Sequence, residues 1–499
     1  MSGLRKSTRR EFLAGSAAVA AGMVLAACSK PTPEPTKAPP TPGKAAAATS
    51  APTQPAPTAV PTKVPPTPTR PPVEITWHHV PLKAADIGLV NDAASQMLQA
   101  KGISAKLKLV PYTWTEFNEK VPLMLASGEP CDLVFSAWWT TNNIYKISAE
   151  GQVLPLDDLL PKYAPETWAS LTKTQWNAAR ATPGGGPIIC VPNLAAWLSG
   201  KAILVPLDIL KKYPFEGWDK RTVIPLKEWE PYMEMVLSKE PGLEAFLSHM
   251  DMVAAQDWGY DSVANASGAE GVLYNDPNRR VVNTAELPEF LEYAKMARKW
   301  VEKRYVLPDG ASLPLEERTA KWKARKVAGG WNYWDPGEVG MSKPENARIP
   351  TDGRWTGVTF QTQSRAAASN TCVAKTCKNP EIAVQIINQA NSNPEFYNLI
   401  SYGIEGKHWV WVDKKIKLIG YPTGVDATSV GYSNQWWAMG SIFNGHYWDR
   451  GMAELDSQKL TKKAHDEAPP SVILGFVLNP KPVEAQVAQP PQVRAGEGP

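Results

Sequence analysis

The chain runs to 499 residues, with 43% hydrophobic residues, 47 prolines, 20 tryptophans and a formal net charge of +4 at pH 7. So small a charge, with cations scattered among acids and no dense basic patch, argues against nucleic-acid binding. Beyond the proline-rich first part about 400 residues remain, more than one hydrophobic core organises, so two domains are expected.

Residues 1–28 read as an export signal. Arg9-Arg10 stand ahead of a short apolar run, Leu13 to Leu25, which ends in Leu25-Ala26-Ala27-Cys28. The run is too short to anchor a bilayer-spanning helix. The paired arginines resemble a twin-arginine export signal and Leu-Ala-Ala-Cys resembles a bacterial lipobox, which implies lipidation of Cys28. A soluble secreted protein cut near Ala27 is the alternative. Residues 29–72 are nearly all Pro, Thr, Ala and Lys, with no apolar periodicity. They read as a disordered tether or a stalk, spanning on the order of 100 Å if fully extended.

From Val73 the pattern changes. Val73 to Trp77 alternates as a strand and Ile87 to Gln99 reads as a helix. Ala105 to Val110 is a second strand, Trp114 to Ala126 a helix stopped by Gly128, and Cys131 to Phe135 a short buried strand. This alternation predicts an open α/β layer. Further strands are expected at Pro187 to Pro192, at Ala202 to Val205 and at Thr356 to Gln361. Helices are expected at Leu226 to Leu237, Pro288 to Lys303 and Glu381 to Asn391, the last with Asn379-Pro380 at its start. A hairpin follows through 413–419, and residues 480–499 read as a disordered tail.

No phosphate loop, nucleophile elbow or His-Glu-x-x-His pair occurs, and no catalytic residue is nominated. His78 and His79 are adjacent on a strand and point to opposite faces, which disfavours a shared metal. Cys372 and Cys377 stand close enough for a small loop disulfide, with two free thiols as the alternative; Cys131 and Cys190 read as core residues. The aromatic excess is the main signal, because tryptophan exceeds what core packing needs and its flat face suits sugar rings and interfaces alike. Open α/β sheets place ligands beyond strand ends, which selects Trp138 and Trp139, Trp331 and Trp334, and Trp436 and Trp437 as stacking candidates. Asn142, Asn332, Asp335 and His79 are the polar candidates beside them.

Four stretches then resemble the extracellular solute-binding proteins of ABC importers, family 1, and within them the LplA-type sugar-binding lipoproteins. They are the lipobox with its linker, Ser127 to Val134 with Gly151 to Tyr163, Lys321 to Trp331, and Asn398-Leu-Ile-Ser-Tyr-Gly-Ile-Glu-Gly-Lys-His-Trp409. The resemblance implies a periplasmic-binding-protein-like α/β fold, two hinge-linked lobes around a ligand cleft. The first lobe would take 73–190 and 351–402, and the second 191–350 and 403–479. Crossings would fall near Cys190 to Asn193, near Ala347 to Thr356 and after Tyr402. It also implies a monomer without cofactor or metal, held by a lipid anchor on the outer face of the cytoplasmic membrane. Such a protein performs no chemistry and delivers a carbohydrate, here an oligosaccharide, to an ABC permease. A peptide- or polyol-binding protein, an exported glycan-processing enzyme and a structural surface protein are the competing readings. Past Gly475-Phe476 the chain departs from the family, since Pro490-Pro491 interrupt the final helix its relatives carry.

Overall fold

The computed structural model describes residues 71–181, 186–194, 197–250, 255–263, 270–333, 349, 351–448 and 457–476. The export signal with Cys28, residues 29–70 of the tether, Trp334, Asp335 and the 480–499 tail lie outside the described residues.

Among the described residues the first sheet has the order β2-β1-β3-β12-β4. It is built from β1 (Val73–His79), β2 (Ala105–Pro111), β3 (Leu133–Ser136), β4 (Val191–Pro192) and β12 (Asn370–Val373). β1 runs parallel to β2 and β3, whereas β12 is antiparallel to β3 and β4. Position in the sheet explains each pattern. The edge strand β2 alternates Ala105, Leu107 and Leu109 inward with Lys106 and Lys108 outward, while central β3 is buried throughout. The helix Ile87–Ala100 buries Val90, Ala94 and Leu98 against this sheet, and the helix Trp114–Ser127 buries Phe117, Val121, Met124 and Leu125. The latter starts on a capping box between Thr113 and Glu116 and stops at Gly128, which takes φ 72°.

The second sheet has the order β11-β5-β10-β6, from β5 (Lys201–Pro206), β6 (Ala245–Leu247), β10 (Val327–Tyr333) and β11 (Thr351–Trp355). It has its own core, with Ile203, Val205, Trp229, Met233, Phe246, Trp300 and Trp331 at its centre. Two smaller sheets join β7 (Tyr260–Ser262), β8 (Glu270–Leu273) and β9 (Val281–Asn283), and β13 (Val410–Asp413), β14 (Leu418–Gly420) and β15 (Tyr447–Trp448). Two lobes, each with a sheet and a separate apolar core, make the mixed α/β architecture that the sequence implied.

The chain passes from the first sheet to the second between β4 and β5, and returns between β11 and β12. The strand expected at Thr356 to Gln361 lies earlier, at β11, where alternate burial of Thr351, Gly353 and Trp355 fits the sheet. β11 pairs with β5, so the return passage follows Trp355. Of the strand expected over Pro187 to Pro192 only β4 joins the sheet; Pro187 to Ile189 instead pair antiparallel with Ala179 to Ala181, and Ile188 also accepts from Leu156 and donates to Asp157. After Tyr402, where a third crossing was expected, residues 403–448 stay against the first lobe. Gly403 ends the helix Pro394–Tyr402 with φ 83°, and the turn that follows is tied back to the β1 side. The amide of Ile404 donates to His408 Nδ1 at 2.8 Å, which leaves the proton on Nε2, and this nitrogen donates to Asp86 at 3.2 Å. Lys407 also pairs with Asp86, at 3.1 Å.

Candidate functional site

The end of β3 carries an aromatic cluster. The strand runs into Ala137-Trp138-Trp139, and Trp139 is 42% exposed. Its ring centroid lies 5.1 Å from Trp114, 6.1 Å from Trp437 and 6.1 Å from buried Phe135. Trp114 and Trp437 are parallel to within 6° with centroids 6.2 Å apart. Sequence reasoning nominated Trp139 and Trp437; it missed Trp114, whose place at the first turn of its helix had read only as a helix start. Three indoles over a floor of Phe117 and Phe135 give an apolar face with polar edges, a surface that suits sugar rings and interfaces alike.

Local bonds fix this cluster. The indole N–H of Trp138 donates to Ser364 O and that of Trp139 to Ala368 O, each at 2.8 Å. Both acceptors lie on the return passage between the sheets. Pro122, inside the Trp114–Ser127 helix, has no N–H to offer the carbonyl of Asn118. The hydroxyl of Thr141 donates to that carbonyl at 2.6 Å, clamping the Trp138–Asn143 loop to the helix that carries Trp114. Asn143 closes the loop, accepting from the amides of Tyr145 and Lys146 and donating to Trp138 O.

Asn193 ties Trp437 to both passages. Its amide group donates to Ser369 Oγ at 3.0 Å and Ala438 O at 2.7 Å, and its carbonyl accepts from Thr371 Oγ1 and the Gly440 amide. Ser369 Oγ in turn donates to Trp437 O at 2.7 Å. Asn193 is 1% exposed, and all four hydrogen-bonding positions of its amide are used. No sequence pattern marked it, since a lone Asn after a strand is a common turn residue.

The other nominated residues go elsewhere. Trp331 is wholly buried in the second core, donating to Thr356 Oγ1 at 3.1 Å and lying 5.9 Å from Tyr293. Asn332 is half-buried beside it on β10 and is not brought to the Trp139 cluster. Trp436 turns away from Trp437 and packs with Tyr402, Trp409, Trp411 and Trp448. Asn142 is fully buried and donates to Phe135 O at 2.8 Å, a bond that shapes the end of β3. His79 is fully buried too; its Nδ1 lies 3.3 Å from Asn434 Oδ1, and desolvation lowers its pKa to about 4. Cys372 and Cys377, expected as a possible disulfide, are both free thiols. Cys372 is enclosed within β12, while Cys377 lies beyond it and hydrogen-bonds Asp132, which adds to burial in pushing its pKa up to about 12. Among the described residues no cluster of three or more His, Cys, Asp or Glu could hold a metal ion, and no helix is long and apolar enough to cross a membrane.

No protein-family model matches the chain. A carbohydrate ABC transporter substrate-binding protein of Streptococcus pneumoniae is 26% identical over 402 residues, 79% of this chain and 76% of that protein. Among solved structures, the N-glycan transport solute binding protein NgtS of S. pneumoniae superposes with a TM-score of 0.69 at 20% identity, over 83% of this chain and 87% of its own. The complex of that protein with Man5GlcNAc gives a TM-score of 0.58 at 21% identity over the same shares. By sequence the chain is similar to an ABC-transporter substrate-binding protein, and its two α/β lobes have the solute-binding-protein fold.

Proposed function

We infer that the protein captures an oligosaccharide outside the cell and hands it to an ABC permease, as a non-catalytic, lipid-anchored binding protein of the LplA-type subgroup. The observation that carries the sugar reading is the cluster of Trp114, Trp139 and Trp437. It stands at the end of a sheet strand, and its indoles and backbone are bonded to the passages between the lobes. Stacking on these rings would therefore bear on the segments that lobe closure must bend. Similarity to a substrate-binding protein named for carbohydrate and to one solved with an N-glycan fragment supports the same class. The anchor on Cys28 and the permease partner rest on the lipobox and on that likeness.

The test is calorimetric titration of the wild-type protein and Trp139→Ala with mannose-containing oligosaccharides, Man5GlcNAc first. Saturable binding weakened at least about tenfold by the substitution is expected, as a stacked ring contributes on the order of 1 kcal/mol or more. Binding of peptides or polyols with no sugar response would refute the carbohydrate assignment while leaving the transport fold intact.

A further inference from the structure

The return passage is covered by a C-terminal strap. The amide of Gln361 donates to Pro469 O and its carbonyl accepts from the Ser471 amide. The Gln361 side chain donates to His465 O, and Gly475 donates to Gln363 Oε1 at 2.7 Å. The strap also reaches the β7-β8-β9 sheet of the second lobe, where Val472 donates to Tyr274 O. At this three-way junction of passage, strap and small sheet sits Asp261, on β7. It is 0% exposed; the Ser471 hydroxyl and the backbone amides of Ser262 and Gln363 lie close to its carboxyl, but none completes a well-formed hydrogen bond to either oxygen.

We propose that Asp261 is a proton-controlled latch: protonated, it lets strap and small sheet close over the hinge, and ionised, it loosens that junction. The physical reason is that a carboxylate stripped of water and given no cation is unstable. The groups that bear on Asp261 are the Ser471 hydroxyl from the strap and the backbone amides of Ser262 on β7 and Gln363 on the passage. Opposite it on β8 stands apolar Val272. The nearby acid Asp257 is engaged elsewhere, taking the Thr356 hydroxyl at 2.6 Å and the Lys201 amide at 3.1 Å. On the helix Ser457–Glu467 that leads into the strap, His465 lies against Asp466. Burial raises the Asp261 carboxyl from 3.8 to about 7. The latch is thus at full strength only below about 3.8 and is lost progressively as pH rises to about 7, because in an opened junction the carboxyl ionises at its ordinary value.

The test is hydrogen exchange of the full chain, comparing residues 469–476 with the helix Pro380–Ser392 as an internal reference, at several pH values and corrected for intrinsic exchange rates. In the wild type, protection of 469–476 should fall about tenfold relative to the reference between pH 6 and pH 8.5. Asp261→Asn should hold its protection across that range. Ser471→Ala, which removes a donor that favours the ionised form, should move the loss to higher pH. If Asp261→Asn does not fold, the direction of the Ser471→Ala shift decides. A wild type whose protection is independent of pH, or an Asp261→Asn protein with the wild-type profile, would overturn the proposal.

Discussion

At the scale of single residues, two tryptophans that look alike in sequence separate on exposure. Trp139 presents an accessible face, whereas Trp331 has none. Both follow small, flexible residues after an apolar run, so both read as platforms beyond a strand. What the sequence could not show is that the Gly329-Gly330 stretch is strand, not turn. A Cβ at Gly329 would lie 2.8 Å from Leu204 O and 3.1 Å from the Phe246 ring, so the glycine is there for close sheet packing. Trp331→Ala should therefore cost about 3–5 kcal/mol in denaturant unfolding as a core cavity. Trp139→Ala, half-exposed, should cost far less stability and act on binding. Gly403 is the sharpest backbone constraint in the turn between the helix Pro394–Tyr402 and Trp409. It takes φ 83°, and a Cβ there would fall 2.4 Å from His408 Nδ1. Gly403→Ala should lower stability by about 2 kcal/mol or more, measured by thermal or urea unfolding.

At the scale of elements, long periodic segments were legible and short ones were not. The helices Ile87–Ala100, Trp114–Ser127, Pro288–Glu302 and Pro380–Ser392 lie within two residues of the spans expected from apolar spacing and breakers. The start of the last differs in detail: Pro380 occupies the first turn as expected, but the Asn379 side chain makes no capping bond. The three-residue strands β7 and β9 are too short to show a period in the sequence. The loop that presents Trp139 was legible as a place but not as a device. Its shape depends on the missing N–H of Pro122, on Thr141 and on Asn143, three residues joined only in space. Asn143→Ala removes the cap of the short helix Ile144–Ala149 and the bond to Trp138 O together. It should cost about 1 kcal/mol of stability and weaken oligosaccharide binding more than an equally destabilising change outside the loop. Calorimetry beside a melting curve separates the two effects.

At the scale of the molecule, the sequence supported two lobes through total length and the α/β alternation of residues 73–135. It did not show how residues 403–448 return to the first lobe, because that choice rests on contacts such as Asp86 with His408, 322 residues apart. The two lobes carry buried titratable groups of opposite kind, the histidines on β1 and the two aspartates beside and on β7. His78 and His79 belong to β1 of the first lobe, where burial holds both near pKa 4 against an ordinary 6.5. The unfolded chain binds more protons than the folded one between those values, so the first lobe gains stability as pH rises from about 4 to 6.5. Asp257 and Asp261 belong to the second lobe, with carboxyls raised from 3.8 to about 6 and about 7. There the folded form binds more protons, and stability is lost as pH rises through the same range. A single buried neutral histidine costs on the order of 2 kcal/mol at pH 5 relative to pH 8, a shift of a few degrees for a lobe of this size. Scanning calorimetry from pH 5 to pH 8 should thus resolve two transitions moving in opposite directions. The first-lobe transition should rise with pH, and His79→Gln should make that rise shallower, leaving the part due to His78 and the second transition unchanged, whereas Asp261→Asn should act on the falling transition. A single transition with one common slope at every pH would mean that the lobes unfold as one unit and that the hinge couples them more tightly than their separate cores require.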